Sequence, residues 1–163
     1  MKLTTSCIAA ALLCAGCASY DGRGLAAGQA TESDIVKLMG QPSDTRQRAN
    51  GDKALYYSRL PYGREMYVLT TGADGKLKAN EQVLNAANVK RVQAGLTGEQ
   101  VRDLLGPPAQ ATRAPFKPYT VWEYPWRIGE DKRVLWVSVA DDGVVREVAD
   151  LHDFAAEYPQ SCM

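Results

Sequence analysis

The chain has 163 residues, 45% of them apolar and 23% charged, a profile that excludes a disordered or collagen-like protein. Its 19 Lys and Arg balance 19 Asp and Glu, so no cationic excess marks a nucleic-acid binder. One His and four Cys leave little material for a metal cluster.

Residues 1–16 read MKLTTSCIAAALLCAG, with Lys2 as a positive start and an unbroken apolar run of nine over 7–15. A membrane-crossing helix takes about 20 apolar residues, so this segment is expected to be a secretory signal peptide. Leu13-Cys14-Ala15-Gly16-Cys17 resembles the lipobox of bacterial lipoproteins, although Cys14 stands where that family prefers Leu. The resemblance implies cleavage after Gly16 and a diacylglyceryl thioether on Cys17. Residues 17–28 would then be a lipidated N-terminus and tether, with membrane lipid as one partner. Ala18 and Ser19 follow Cys17, and the absence of Asp there points to the periplasmic face of the outer membrane. Cys7 and Cys14 leave with the signal and Cys17 carries lipid, so Cys162 has no partner for a disulfide.

Beyond the leader the chain repeats itself. Leu38-Met39-Gly40-Gln41-Pro42 recurs as Leu104-Leu105-Gly106-Pro107-Pro108, 66 residues on, and Thr31/Thr97 and Tyr56/Trp122 keep that spacing. Asp74-Gly75 and Asp142-Gly143 lie 68 apart. Ordered landmarks at nearly constant spacing mark a tandem duplication: residues 29–83, residues 84–150 and a tail over 151–163. Thr97-Gly98-Glu99-Gln100 has the form of a capping box, and Val101, Leu104 and Leu105 share one helical face before Gly106 stops the helix. In the first copy Thr31 caps, with Asp34 at the third position, Ile35, Val36, Leu38 and Met39 are apolar, and Gly40 ends the helix. A second short helix is predicted over 86–92.

Strand patterns cover 54–60, 65–71 and 76–83 in copy one, and 119–124, 133–140 and 144–149 in copy two. Asp-Gly turns join the last two of each set. Leu135, Val137 and Val139 alternate with Trp136 and Ser138, which gives that sheet one buried and one partly exposed face. The predicted fold is α+β: two tandem α–β–β–β units, each a short helical layer on a three-stranded antiparallel meander.

Gly95-Leu96-Thr97-Gly98-Glu99-Gln100-Val101 with Leu104-Leu105-Gly106-Pro107-Pro108, followed by Val121-Trp122-Glu123-Tyr124 and Asp142-Gly143, resembles the BamE (SmpA/OmlA) family of outer-membrane lipoproteins. The likeness spans residues 87–149 and, more faintly, 25–83. It implies a non-catalytic scaffold whose protein partner is in the outer-membrane assembly machinery, here carrying two copies of the unit. The doubled architecture is also similar to that of β-lactamase inhibitory proteins. That likeness implies an alternative, a periplasmic inhibitor or regulator gripping an envelope hydrolase through a sheet face.

Residues for chemistry are sparse. His152 has no companion nucleophile motif, and Asp141-Asp142 stands before Gly143 as a turn former. The glycines of 22–28 follow no strand and lack a Lys-Ser/Thr ending. No enzyme, cofactor or metal site is expected. Aromatics carry much of the energy at protein interfaces. Tyr56, Tyr57 and Tyr62 in copy one, with Trp122, Tyr124 and Trp126 in copy two, form the candidate partner surface, with core filling as the competing use of about half of them.

Overall fold

A computed structural model describes residues 21–157. Gly16, Cys17 and Cys162, and with them the predicted cleavage and lipid-attachment sites, lie outside the described residues.

Local chemistry sets the two main helices, α1 (Glu32–Met39) and α3 (Gly98–Leu105). The Thr31 hydroxyl accepts from the Asp34 N–H while the Asp34 carboxylate accepts from the Thr31 N–H at 2.9 Å. Thr97 and Gln100 repeat this reciprocal pair, with Gln100 Oε1 2.8 Å from the Thr97 nitrogen. Each helix ends on a glycine at φ +82, Gly40 and Gly106, a conformation that costs an L side chain energy. A single-turn helix, α2 (Ala86–Val89), joins the two halves, and α4 (Phe154–Glu157) closes the described chain.

Each main helix is followed by four strands. β1 (Asp44–Gln47), β2 (Lys53–Ser58), β3 (Met66–Thr71) and β4 (Leu77–Gln82) form one antiparallel sheet in that order. β5 (Gln110–Arg113), β6 (Tyr119–Ile128), β7 (Asp131–Ala140) and β8 (Val145–His152) form the other. The expectation of two α–β–β–β units with three-stranded meanders is therefore wrong. The protein is mostly β, with two four-stranded antiparallel sheets and a few short helices. The strands missed are β1 and β5, with sequences DTRQ and QATR. They are short, polar edge strands, and they lack the apolar alternation that reveals a half-buried strand.

The ladders fix how the copies correspond. Gln47 pairs with Lys53, but Arg113 pairs with Thr120, so the second hairpin holds one residue more between paired positions. β2 therefore maps onto β6 at an offset of 67, and Tyr57 corresponds to Tyr124, not Tyr56 to Trp122. The β3–β4 and β7–β8 ladders break at Thr70/Thr71 and Ser138/Val139, an offset of 68. The tyrosines seal the match: Tyr57 donates to the Gly40 carbonyl at 3.1 Å and Tyr124 to the Gly106 carbonyl at 3.1 Å.

Two apolar clusters hold the layers together. Ile35 and Met39 of α1 pack on one face of the first sheet, against Leu55, Tyr57, Leu69 and Leu77. Val101 and Leu105 of α3 share the larger cluster with Tyr124, Leu135, Val137 and Val139 of the second sheet. Ala54, Tyr56, Met66 and Val68, on the other face of the first sheet, join that same cluster. The first sheet is thus buried on both faces, with α3 wedged between the repeats. Ion pairs fasten the wedge: Arg46 holds Glu99 and Asp103 of α3, and Arg127 meets Glu65 at 3.0 Å. Arg64 donates to the Arg133 carbonyl at 2.9 Å, the Trp126 carbonyl at 3.3 Å and Asp153 at 2.7 Å.

Candidate functional site

In the first sheet, Ala54, Tyr56, Met66 and Val68 form the face that packs into the cluster around α3. The strand correspondence gives Val121, Glu123, Val134 and Trp136 as their counterparts in the second sheet. Among the described residues no helix equivalent to α3 lies over that second face. Val134 and Ser138 on this face are still buried, at 8% and 7%, but Trp136 is 42% exposed where its counterpart Val68 is 1% exposed, and Leu151 on the same face is also 42% exposed. Trp136 is held in place: its indole N–H donates to Glu123 Oε2 at 3.1 Å across the β6–β7 pair. Glu147, paired with Ser138, adds an exposed carboxylate to this face. The result is an orientated aromatic plate flanked by aliphatic and acidic groups, suited to burying apolar area against a protein.

The six aromatics predicted as a partner surface do not form one. Tyr56, Tyr124 and Trp126 are fully buried, and Tyr57 nearly so. Burial pushes the Tyr124 phenol far up, so it remains a donor throughout the physiological range. Trp126 gives its indole N–H to Asp150 at 3.0 Å. Trp122 is half-buried, its ring close under α3 at Gly98 and 4.9 Å from the Arg102 guanidinium. Tyr62 alone is fully open to solvent, on the turn between β2 and β3. Trp136 was missed although its signal was present: alternation in β7 already set it opposite Leu135 and Val137.

His152 lies at the end of β8 and is half-buried. Its Nδ1 stands 2.8 Å from Asp131 Oδ1 and its ring meets Phe154 edge-on at 4.6 Å. Arg133 bridges Asp131 at 3.1 Å and Asp150 at 3.0 Å. Arg133 first, and His152 after it, hold the Asp131 carboxyl below its usual range. This is a charge cluster that pins the sheet end. Asp141 and Asp142 pair with Arg113 and Arg146, as surface ion pairs beside their hairpin. Among the described residues no group of three or more His, Cys, Asp or Glu is arranged to hold a metal, and no helix is long and apolar enough to cross a membrane.

No protein-family model matches the chain, and no curated protein matches it. Among solved structures it is similar to a DUF4309 family protein (YjgB) from Bacillus subtilis subsp. subtilis str. 168, with 19% identity over 82% of this chain and 90% of that one. The TM-score of that match is 0.30, too low to carry an argument about fold or function.

Proposed function

We propose that the protein is a non-catalytic binding module, anchored by lipid on Cys17 at the periplasmic face of the outer membrane. It docks through the outer face of its second sheet onto a protein of outer-membrane assembly or envelope maintenance. The observation that carries the docking half is the exposed Trp136–Leu151 face, whose counterpart in the first sheet packs around α3. The anchor rests on the resemblance of Leu13–Cys17 to a lipobox, and the partner class on the helix motif at 95–108. Photo-crosslinking in intact cells from position 136 should yield a discrete adduct with an outer-membrane assembly subunit. Position 116, exposed on the β5–β6 hairpin, should not yield it. Identical adduct patterns from the two positions would remove the surface from consideration. Cys17→Ser should release the protein from the membrane fraction, and retention there would remove the anchor.

A second reading draws on the same face, because Trp136, Glu123 and Glu147 supply the aromatic and acidic groups that an inhibitor of an envelope hydrolase would use. Inhibition of a purified periplasmic hydrolase that Trp136→Ala abolishes would favour it over the scaffold.

A further inference from the structure

Of the six large apolar side chains exposed among the described residues, four gather at one end of the molecule: Tyr62, Ile128, Leu151 and Phe154. The ladders bring them there. Ile128 pairs with Asp131 where β6 turns into β7, and His152, beside Leu151, pairs with Arg133 where β8 runs out into α4. Arg64, two residues past Tyr62, ties the β2–β3 turn to the Trp126 and Arg133 carbonyls and to Asp153. Leu151 belongs to the face that carries Trp136. Tyr62, Ile128 and Phe154, at 99%, 51% and 67% exposure, are left as three separate tips.

Charge and spacing say what covers this end. Residues 59–65, 127–133 and 150–156 hold five Lys and Arg against five Asp and Glu, so no net charge draws an anionic headgroup or a charged partner. Glu65, Arg127, Glu130 and Lys132 stand around Tyr62 and between the tips, which denies a protein one continuous apolar patch to close over. A fluid bilayer interface fills in around separate tips and takes tyrosine at the level of the headgroups.

The start of the described chain points the same way. The Asp21 carbonyl accepts from Asn80 at 2.8 Å, and Gly22 is so near the end of α1 that a Cβ there would come within 3.2 Å of Met39 Sδ. That end of α1 is the one Tyr57 bonds, one residue before β2 runs into the Tyr62 turn. Burial first, then the Glu65 and Asp21 carboxylates, push up the Tyr67 phenol at the start of β3. Cys17 precedes Asp21 by four residues, a reach of at most about 14 Å, so acyl chains on it would enter the bilayer beside this end.

We propose that this end of the molecule seats in the lipid interface, with Tyr62, Ile128 and Phe154 entering a zwitterionic bilayer next to the anchor. Trp136 lies five residues along β7 from Asp131, about 17 Å, so this seating holds the docking face clear of the lipid and open to the periplasm. The inference rests on the proposed lipid anchor, because three side chains bury less than one acyl chain, which alone binds only marginally.

The test places a nitroxide on single cysteines at positions 62, 128, 154, 116 and 136, in a Cys162→Ser chain as cells process it, reconstituted into phosphatidylcholine vesicles. Labels at 62, 128 and 154 should lie about 5–10 Å below the headgroup surface, shielded from an aqueous nickel reagent. Those at 136 and at 116, the latter about 30 Å away at the far end of β6, should stay open to it. Tyr62→Ser with Phe154→Ser should return the label at 128 to water while the far-UV circular dichroism is unchanged. Adding phosphatidylglycerol should leave every depth as it was. A chain that floats with the vesicles but keeps 62, 128 and 154 as wet as 116 overturns the seating and leaves the anchor standing. Immersion that appears only with phosphatidylglycerol also overturns it, in favour of headgroup attraction. A chain that does not float overturns anchor and seating together.

Discussion

Phenylalanine substitutions along β2 and β6 test the way the two repeats superpose, because each removes one oxygen and nothing else. In Tyr124→Phe the lost hydroxyl is fully buried and donates to the Gly106 carbonyl at 3.1 Å, at the end of α3. Removing a buried donor forfeits its net bond and leaves a carbonyl lone pair dry, together about 1–2 kcal/mol. Tyr57 makes the same 3.1 Å bond to Gly40 but retains 7% exposure, so water can replace part of it and the expected cost is about 1 kcal/mol. Tyr56 is the control next door: its hydroxyl is buried with no hydrogen-bond partner, so Tyr56→Phe should be within about 0.5 kcal/mol of neutral or stabilising. Urea unfolding followed by far-UV circular dichroism, with the slope unchanged, measures all three. If Tyr56→Phe costs as much as Tyr124→Phe, or Tyr124→Phe costs nothing, the one-residue difference between the hairpins is wrong.

The glycines that end α1 and α3 share φ +82 but not their surroundings. A Cβ on Gly40 meets nothing within 4 Å, whereas one on Gly106 comes within 2.9 Å of Tyr56 Cδ1 and 3.0 Å of Met66. Gly40→Ala should cost about 1 kcal/mol of backbone strain and Gly106→Ala about 2–4, by thermal denaturation, and equal losses would contradict the seating of α3 on the first sheet. Arg64→Gln removes three hydrogen bonds that cross between repeats from a side chain only 12% exposed, an expected loss of about 2–4 kcal/mol. A double-mutant cycle with Asp153→Asn should return a coupling of about 1–3 kcal/mol, and a value near zero would discount the pair. The carboxyls of Asp34, Asp52, Asp131 and Asp141 are all held below their usual range, chiefly by hydrogen bonds from Thr31, Lys78, Arg133 and Arg113 respectively. A lowered folded value contributes stability above the unfolded carboxylate range near 4 and loses it as pH falls through the folded value. The urea midpoint should therefore be level between about pH 5 and 7 and fall below about pH 4. A midpoint unchanged down to about pH 2 would refute those pairings.

What could be read directly from residues is what depends on near neighbours along the chain. Thr31 with Asp34, and Thr97 with Gln100, announce helix starts because the bonds that make them span three residues. Gly40 and Gly106 announce the stops, Asp74-Gly75 and Asp142-Gly143 the last hairpins, and the recurrence of all these in order reveals the duplication. β1 and β5 escape, because a polar edge strand is defined by the partner it pairs with. The aromatics were misplaced for the same reason. Alternation separates Trp122, Tyr124 and Trp126 from Val121 and Glu123, but which set is buried depends on where α3 comes to rest, and α3 packs in one cluster with both sheets. Sequence alone determined the caps, the turns and the doubling, since each is an interaction closed within a few residues. Tertiary structure alone decided that the first sheet loses both faces to packing while the second keeps Trp136 and Leu151 exposed on one, since burial belongs to pairs of elements far apart in the chain.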